Sequence, residues 1–142
     1  MNSKFLLCIN EKEKTSQIVK LAAAEAEKQN AKLIILTVID IEEIREMIYE
    51  KIIDEYKDNI TKRLNNIASF IHKRFPKLKV EIIMEEGLVI DNILEFVKKN
   101  KNGLKQIFLG GSSKKGSCVY TLIPNIIGHS DAVIVIFHQD RK

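Results

Sequence analysis

The run Gly110-Gly111-Ser112-Ser113-Lys114-Lys115-Gly116-Ser117 is the densest set of groups able to do chemistry in this 142-residue chain. Its glycines let the backbone turn so that N–H groups form a concave anion nest. Ser112, Ser113 and Ser117 add hydroxyl donors, and Lys114 and Lys115 add positive charge. Such a set suits the holding of phosphate. It begins like a P-loop, but Ser117 stands where the required lysine should be, and the segment lies far from the N-terminal strand. No GxGxxG is present.

The other reactive side chains are scattered. His72, His129 and His138 have no partner at metal-ligand spacing and are expected to be structural or surface residues. Cys8 and Cys118 are far apart, outside any CxxC spacing, and each lies in an apolar stretch, so both are expected to be small core fillers. Glu85 and Glu86 would alternate faces at the end of a strand and so cannot form a side-by-side catalytic pair. Asp91 suits the electropositive start of a helix. No Ser/His/Asp or Cys/His set can be assembled, and a non-enzymatic protein is expected.

Charge separates along the chain. Net charge is +4, yet residues 40–58 hold eight acids against three bases. Residues 96–118 hold no acid, while Lys98, Lys99, Lys101, Lys105, Lys114 and Lys115 accumulate there. A lysine-rich segment attracts phosphate, whether of nucleotide or nucleic acid; the plainer reading is a solvated basic surface. Aromatic residues make up only 6% and none interleaves with these lysines, which argues against a base-stacking surface.

The elements that must position the glycine-rich run follow from periodicity. Residues 5–9 form a continuous apolar run of the kind found in a strand covered on both faces. Thr15 or Ser16 can cap a helix whose stripe is Ile18, Leu21, Ala22 and Ala26, ending near Asn30, which tolerates a left-handed C-cap. Residues 33–38 form a second buried strand. Asp40 can cap a long helix whose apolar positions, from Ile41 through Ile48, Ile52 and Ile60 to Phe75, step by three or four; its length allows a break inside, and Pro76 ends it. Residues 80–84 read as a third strand with Gly87 as the turn after it, and Ile90, Ile93, Leu94 and Val97 mark a third helix. A fourth strand, 106–109, leads into the glycine-rich run. Pro124 suits the first turn of a short last helix, Gly128 its stop, and residues 132–137 a fifth strand. This alternation implies an α/β fold with a parallel sheet and right-handed crossovers. Ligands of such sheets bind beyond the carboxyl ends of the strands, where strand order reverses.

At 142 residues and 45% hydrophobic, the chain is expected to be one domain, burying roughly 70% of its unfolded surface without disulfides. The N-terminus lacks a signal-peptide layout, and no stretch approaches the roughly 20 apolar residues needed to span a bilayer. A soluble, cytoplasmic protein is expected.

The opening strand, the helix bearing Ala22, Ala23 and Ala26, then Ala31, Leu33 and Val38, the long central helix, Glu86-Gly87 followed by Ile93-Leu94, and Ile107-Phe108-Leu109-Gly110 occur in an order and spacing that resemble the universal stress protein family over nearly the full chain. The resemblance implies an open five-stranded parallel sheet of order 3-2-1-4-5 with helices on both faces, of the Rossmann-like type. It also implies dimerisation through the last strand. In the nucleotide-binding branch an acidic residue closes the first strand, a Gly-x2-Gly-x9-Gly-Ser/Thr loop wraps the phosphates, and adenine sits near the end of the second strand, here around Val38. Asn10 stands where the acid is expected, bringing an amide but no charge. Gly110 can be the first glycine, but Ser113 occupies the second place, and Gly116-Ser117 follows too soon. A β-carbon at Ser113 restricts close backbone approach, so the cradle is incomplete.

Two functions follow. One is a stress-associated regulatory module that acts by homodimerising through residues 132–137 and binding partners, with weak or no nucleotide affinity. The other is an ATP or AMP sensor, with magnesium, that uses Asn10, Val38, Gly110, Gly111, Ser112, Ser113, Gly116 and Ser117. A more distant third is nucleic-acid binding through the lysines, which predicts affinity falling steeply with salt.

Overall fold

The computed structural model describes residues 3–9, 16–111 and 118–138, without side chains for 111, 118–121 and 138. The element order is β1 (Lys4–Cys8), α1 (Ser16–Lys28), β2 (Lys32–Asp40), α2 (Ile41–Arg45), α3 (Glu50–Arg74), β3 (Val80–Gly87), α4 (Val89–Lys99), β4 (Leu104–Gly111), α5 (Cys118–Ile127) and β5 (Val133–His138). All neighbouring strands pair in parallel, in the order β3-β2-β1-β4-β5. Strand order therefore reverses between β1 and β4, as the resemblance implied.

Because successive strand residues point to opposite faces, each central strand feeds two cores. Phe5, Leu7, Leu33, Ile35 and Phe108 meet α1 and α3 on one face; Leu6, Ile34, Leu36, Ile107 and Leu109 meet α4 and α5 on the other. Each fully buried aliphatic side chain contributes about 1.5–3 kcal/mol. Ala22, Ala23 and Ala26 are fully buried, so α1 presents a small-residue face to the sheet. Leu21, expected in that stripe, is 38% exposed, and Val19 takes its place in the core. Asn30 ends the turn after α1 at φ 54°, the left-handed conformation its side chain tolerates.

The long apolar stripe from Ile41 to Phe75 is two helices. Asp40 caps α2, its carboxylate accepting from the Glu42 amide at 2.9 Å. The chain then leaves the helix, and Tyr49, in an extended conformation, precedes α3. Lys57 pairs with Glu86 at 3.1 Å, level with the end of β3, so the first turns of α3 project beyond the sheet. Ile48 and Ile52 keep the helical spacing but have no core beneath them; Ile48 is 86% exposed. The last three helix residues before Phe75 and Pro76 are His72, Lys73 and Arg74.

Several strand ends differ from expectation. β3 and β4 run further, through Gly87 and Gly111, because each continues to pair with a neighbour: Gly87 with Asp40, Gly110 with Phe137 and Gly111 with His138. Gly110 and Gly111 are thus strand residues rather than the start of a loop. Residues 118–123 are helical, which places Pro124 inside α5 rather than in its first turn. There its missing N–H forfeits one helical hydrogen bond.

Candidate functional site

The carboxyl edge of the sheet is uneven at the point where strand order reverses. Cys8, the last residue of β1, pairs with Leu36 on one side and Leu109 on the other. β2 continues four residues past Leu36 to Asp40, and β4 two past Leu109 to Gly111. Among the described residues β1 gains one further backbone bond, from the Ile9 amide to the Leu36 carbonyl at 3.0 Å. This leaves, among the described residues, a notch above β1, walled by β2 and β4, roughly 10 Å apart across two strand spacings. Val38, half-buried against the α4 face, lines one wall, and Gly110 and Gly111 the other. These three expected site residues thus stand on the strands either side of β1. Asn10, Ser112, Ser113, Gly116 and Ser117 lie outside the described residues.

One residue of this region had not been expected to matter. Thr37 is 3% exposed, and its Oγ1 has no hydrogen-bond partner among the described residues. It interrupts the apolar run 33–38 as its single polar residue, which was the available signal. A second device sits at the end of β3. Gly87 has φ 155°, and a β-carbon there would lie 2.7 Å from Asn92 Oδ1. Asn92 in turn donates from Nδ2 to Glu85 Oε1 at 3.1 Å, tying the first turn of α4 to β3.

Electrostatics divide this edge. On the β2–β3 side, residues 38–58 and 85–91 hold eleven carboxylates against three cations. An anionic group entering the notch is repelled from that side and directed towards β4. His72 and His129 are exposed, and no group of three His, Cys, Asp or Glu side chains able to hold a metal occurs among the described residues. No described helix is long and apolar enough to cross a membrane.

The profile of the universal stress protein family matches residues 1–114. The chain belongs to the universal stress protein family. A comparison with curated proteins finds no match. Among solved structures, a universal stress protein family member from Burkholderia pseudomallei is 12% identical with a TM-score of 0.67, covering 96% of each chain. A universal stress protein solved in complex with cAMP is 17% identical with a TM-score of 0.61, over 96% of this chain and 97% of its own. The universal stress protein from Archaeoglobus fulgidus in complex with dAMP is 13% identical with a TM-score of 0.59, again over 96% and 97%. At these identities the likeness is one of fold, and it agrees with the universal stress protein sheet order found here.

Proposed function

We propose that this universal stress protein is a non-catalytic, cytoplasmic regulatory module that works as a homodimer joined through β5, with weak or no affinity for nucleotide. The observation that carries this reading is the β5 edge. Among the described residues β5 pairs with β4 alone, and Val133 and Ile136 on it are 60% and 42% exposed. An open edge with apolar side chains invites a second strand, and a two-fold pairing of β5 with its copy satisfies both strands at once. Weak nucleotide affinity follows from Asn10 in place of an acid, Ser113 in place of a glycine, and the carboxylates flanking the notch on the β2–β3 side. In analytical ultracentrifugation the wild-type chain is expected to sediment as a dimer at micromolar concentration. Ile136→Glu should raise the dissociation constant about a hundredfold, equivalent to about 3 kcal/mol. A wild-type monomer at the highest soluble concentration would sink the proposal.

The notch itself favours a second reading, an adenine-nucleotide sensor. Val38 on β2 and Gly110 on β4 flank the end of β1 beside the strand-order reversal, and two proteins of similar fold were solved with cAMP and dAMP. ATP or AMP, with magnesium for the former, would place its phosphates towards residues 110–117, away from the acidic side. Calorimetry with ATP, ADP and AMP decides between the two: absence of heat and of any thermal shift at millimolar ligand leaves the dimer reading alone.

A further inference from the structure

The opposite edge of the sheet is as basic as the β2–β3 side of the carboxyl edge is acidic. The segments 3–4, 25–32, 72–81, 98–105 and 128–132 gather there and hold eleven lysines and arginines against Glu25, Glu27, Glu81 and Asp131. Five of the cations, Lys28, Lys73, Arg74, Lys98 and Lys99, occupy the last turns of α1, α3 and α4, where they complement the negative end of the helix dipole. That leaves Lys4, Lys32, Lys77, Lys79, Lys101 and Lys105 with no such explanation. Among them Lys32 pairs with Glu81, and Lys4 reaches Asn100 Oδ1 at 3.4 Å. No ion pair joins Lys77 or Lys79 to a carboxylate among the described residues.

Sheet pairing fixes the backbones of Lys4, Lys32 and Lys79. Lys4 stands in register with Lys32, and the Lys79 carbonyl accepts the Leu33 amide at 2.9 Å, so Lys4 and Lys32 begin β1 and β2 and Lys79 immediately precedes β3 beside them. The Lys4 amide donates to Gly103 at 2.8 Å and the Lys32 amide to Ser3 at 2.9 Å. Adjacent strands lie about 4.8 Å apart, and like charges side by side across them disfavour the empty state. An open cavity of about 1020 Å³ spans this edge, lined by Lys4, Lys32, Lys77 and Lys79, with Glu27 as its one carboxylate and no aromatic side chain.

We propose that this amino-edge groove is a binding site, separate from the notch, for a linear inorganic phosphate chain. A row of lysines whose backbones the sheet holds side by side matches a row of phosphates, and charge attraction offsets the side-chain ordering that binding costs. The lack of an aromatic platform disfavours single-stranded nucleic acid, whose bases stack when bound.

The test is titration of the full chain with inorganic polyphosphate at low and high salt, followed by calorimetry. Binding is expected, falling steeply as salt rises, because multiple phosphate contacts release counterions. Lys77→Glu/Lys79→Glu should weaken it about tenfold or more, the loss of two contacts with added repulsion. Lys51→Glu/Lys57→Glu, which changes net charge equally at the acidic edge, should leave it within about twofold. Circular dichroism confirms that both variants fold. Equal weakening by the two variants would show a response to net charge alone and overturn the site. Polyglutamate or a uridine homopolymer of matched charge binding as tightly as polyphosphate would also overturn it, as would no binding at low salt. AMP at millimolar concentration should not displace the chain; displacement would place polyphosphate in the notch instead.

Discussion

At the amino edge of the sheet, β1, β2 and β3 start level with one another, tied by backbone hydrogen bonds and headed by lysines. At the carboxyl edge β2 and β3 end level with each other while β1 stops four residues short of them, and acids surround the longer two. One topology produces both. Helices return antiparallel to the strands, so their negative ends meet the amino edge and their positive ends the carboxyl edge. That alone accounts for Asp91 in the first turn of α4, for Glu42 and Glu43 in α2, and for the terminal cations of α1, α3 and α4. The difference in strand ends is what the dipoles do not account for. Level ends display a row of side chains, whereas uneven ends leave a crevice with backbone on its walls. The first geometry suits an extended ligand held by charge, the second a compact one held by shape.

The comparison implies that the carboxyl edge is limited by close packing and the amino edge by charge. Gly87→Ala tests the first half and carries the largest expected effect. Its backbone conformation is one that L side chains rarely adopt, and the new β-carbon meets Asn92 Oδ1. Stability in urea should fall by about 2–3 kcal/mol with an unchanged m-value. A loss below about 0.5 kcal/mol would mean that Asn92 simply swings aside, and the end of β3 would then be no more constrained than the amino edge.

A smaller effect of opposite sign is expected two strands' width from the end of β4. Thr37→Val keeps the shape of the side chain and removes a buried hydroxyl without a described partner. Stability should rise by about 1 kcal/mol. A loss instead would show that Oγ1 is bonded, to ordered water or to a ligand in the notch, and would strengthen the sensor reading.

How far this contrast could be read from sequence depends on whether its cause is local. Asn30 as a left-handed terminator, Asp40 as a cap and Asp91 in a first turn were each legible, because capping depends on a few adjacent residues. The alternation of strands and helices was legible for the same reason, and the family resemblance supplied the strand order. A break inside the long helical stripe was legible from its length, but its place before α3 was not, since Ile48 and Ile52 continue the three-four spacing although both are exposed. Pro124 misplaced the start of α5 because a proline tolerated seven residues into a helix looks, in sequence, like one that opens it. The basic edge was only half visible. Lys98 to Lys105 stand out as a run, but Lys4, Lys32, Lys77 and Lys79 are dispersed and meet only through the sheet. The notch could be located from Gly110 and Val38, while its depth depends on strand lengths that the pattern set short by two residues or more at β2 and β4.

Lys79→Glu carries the smallest expected effect and bears most directly on the charge half of the comparison. The new carboxylate would sit at the start of β3, beside Lys32 and within reach of the same row. If lysine repulsion limits the amino edge, stability should rise by about 0.5 kcal/mol at low salt, in keeping with exposed pairs. The gain should vanish near 1 M salt, where screening acts within about 3 Å. The matching reversal at the other edge is Lys57→Glu, which removes the pair with Glu86 and adds a carboxylate among carboxylates. It should lose about 0.5–1 kcal/mol at low salt and recover part of that as salt rises. Identical charge changes would then move stability in opposite directions at the two edges. If Lys79→Glu instead destabilises at every salt concentration, the lysine stem contributes by packing rather than charge. The amino edge would then be an ordinary solvated surface, and the row of lysines would lose its claim to a ligand.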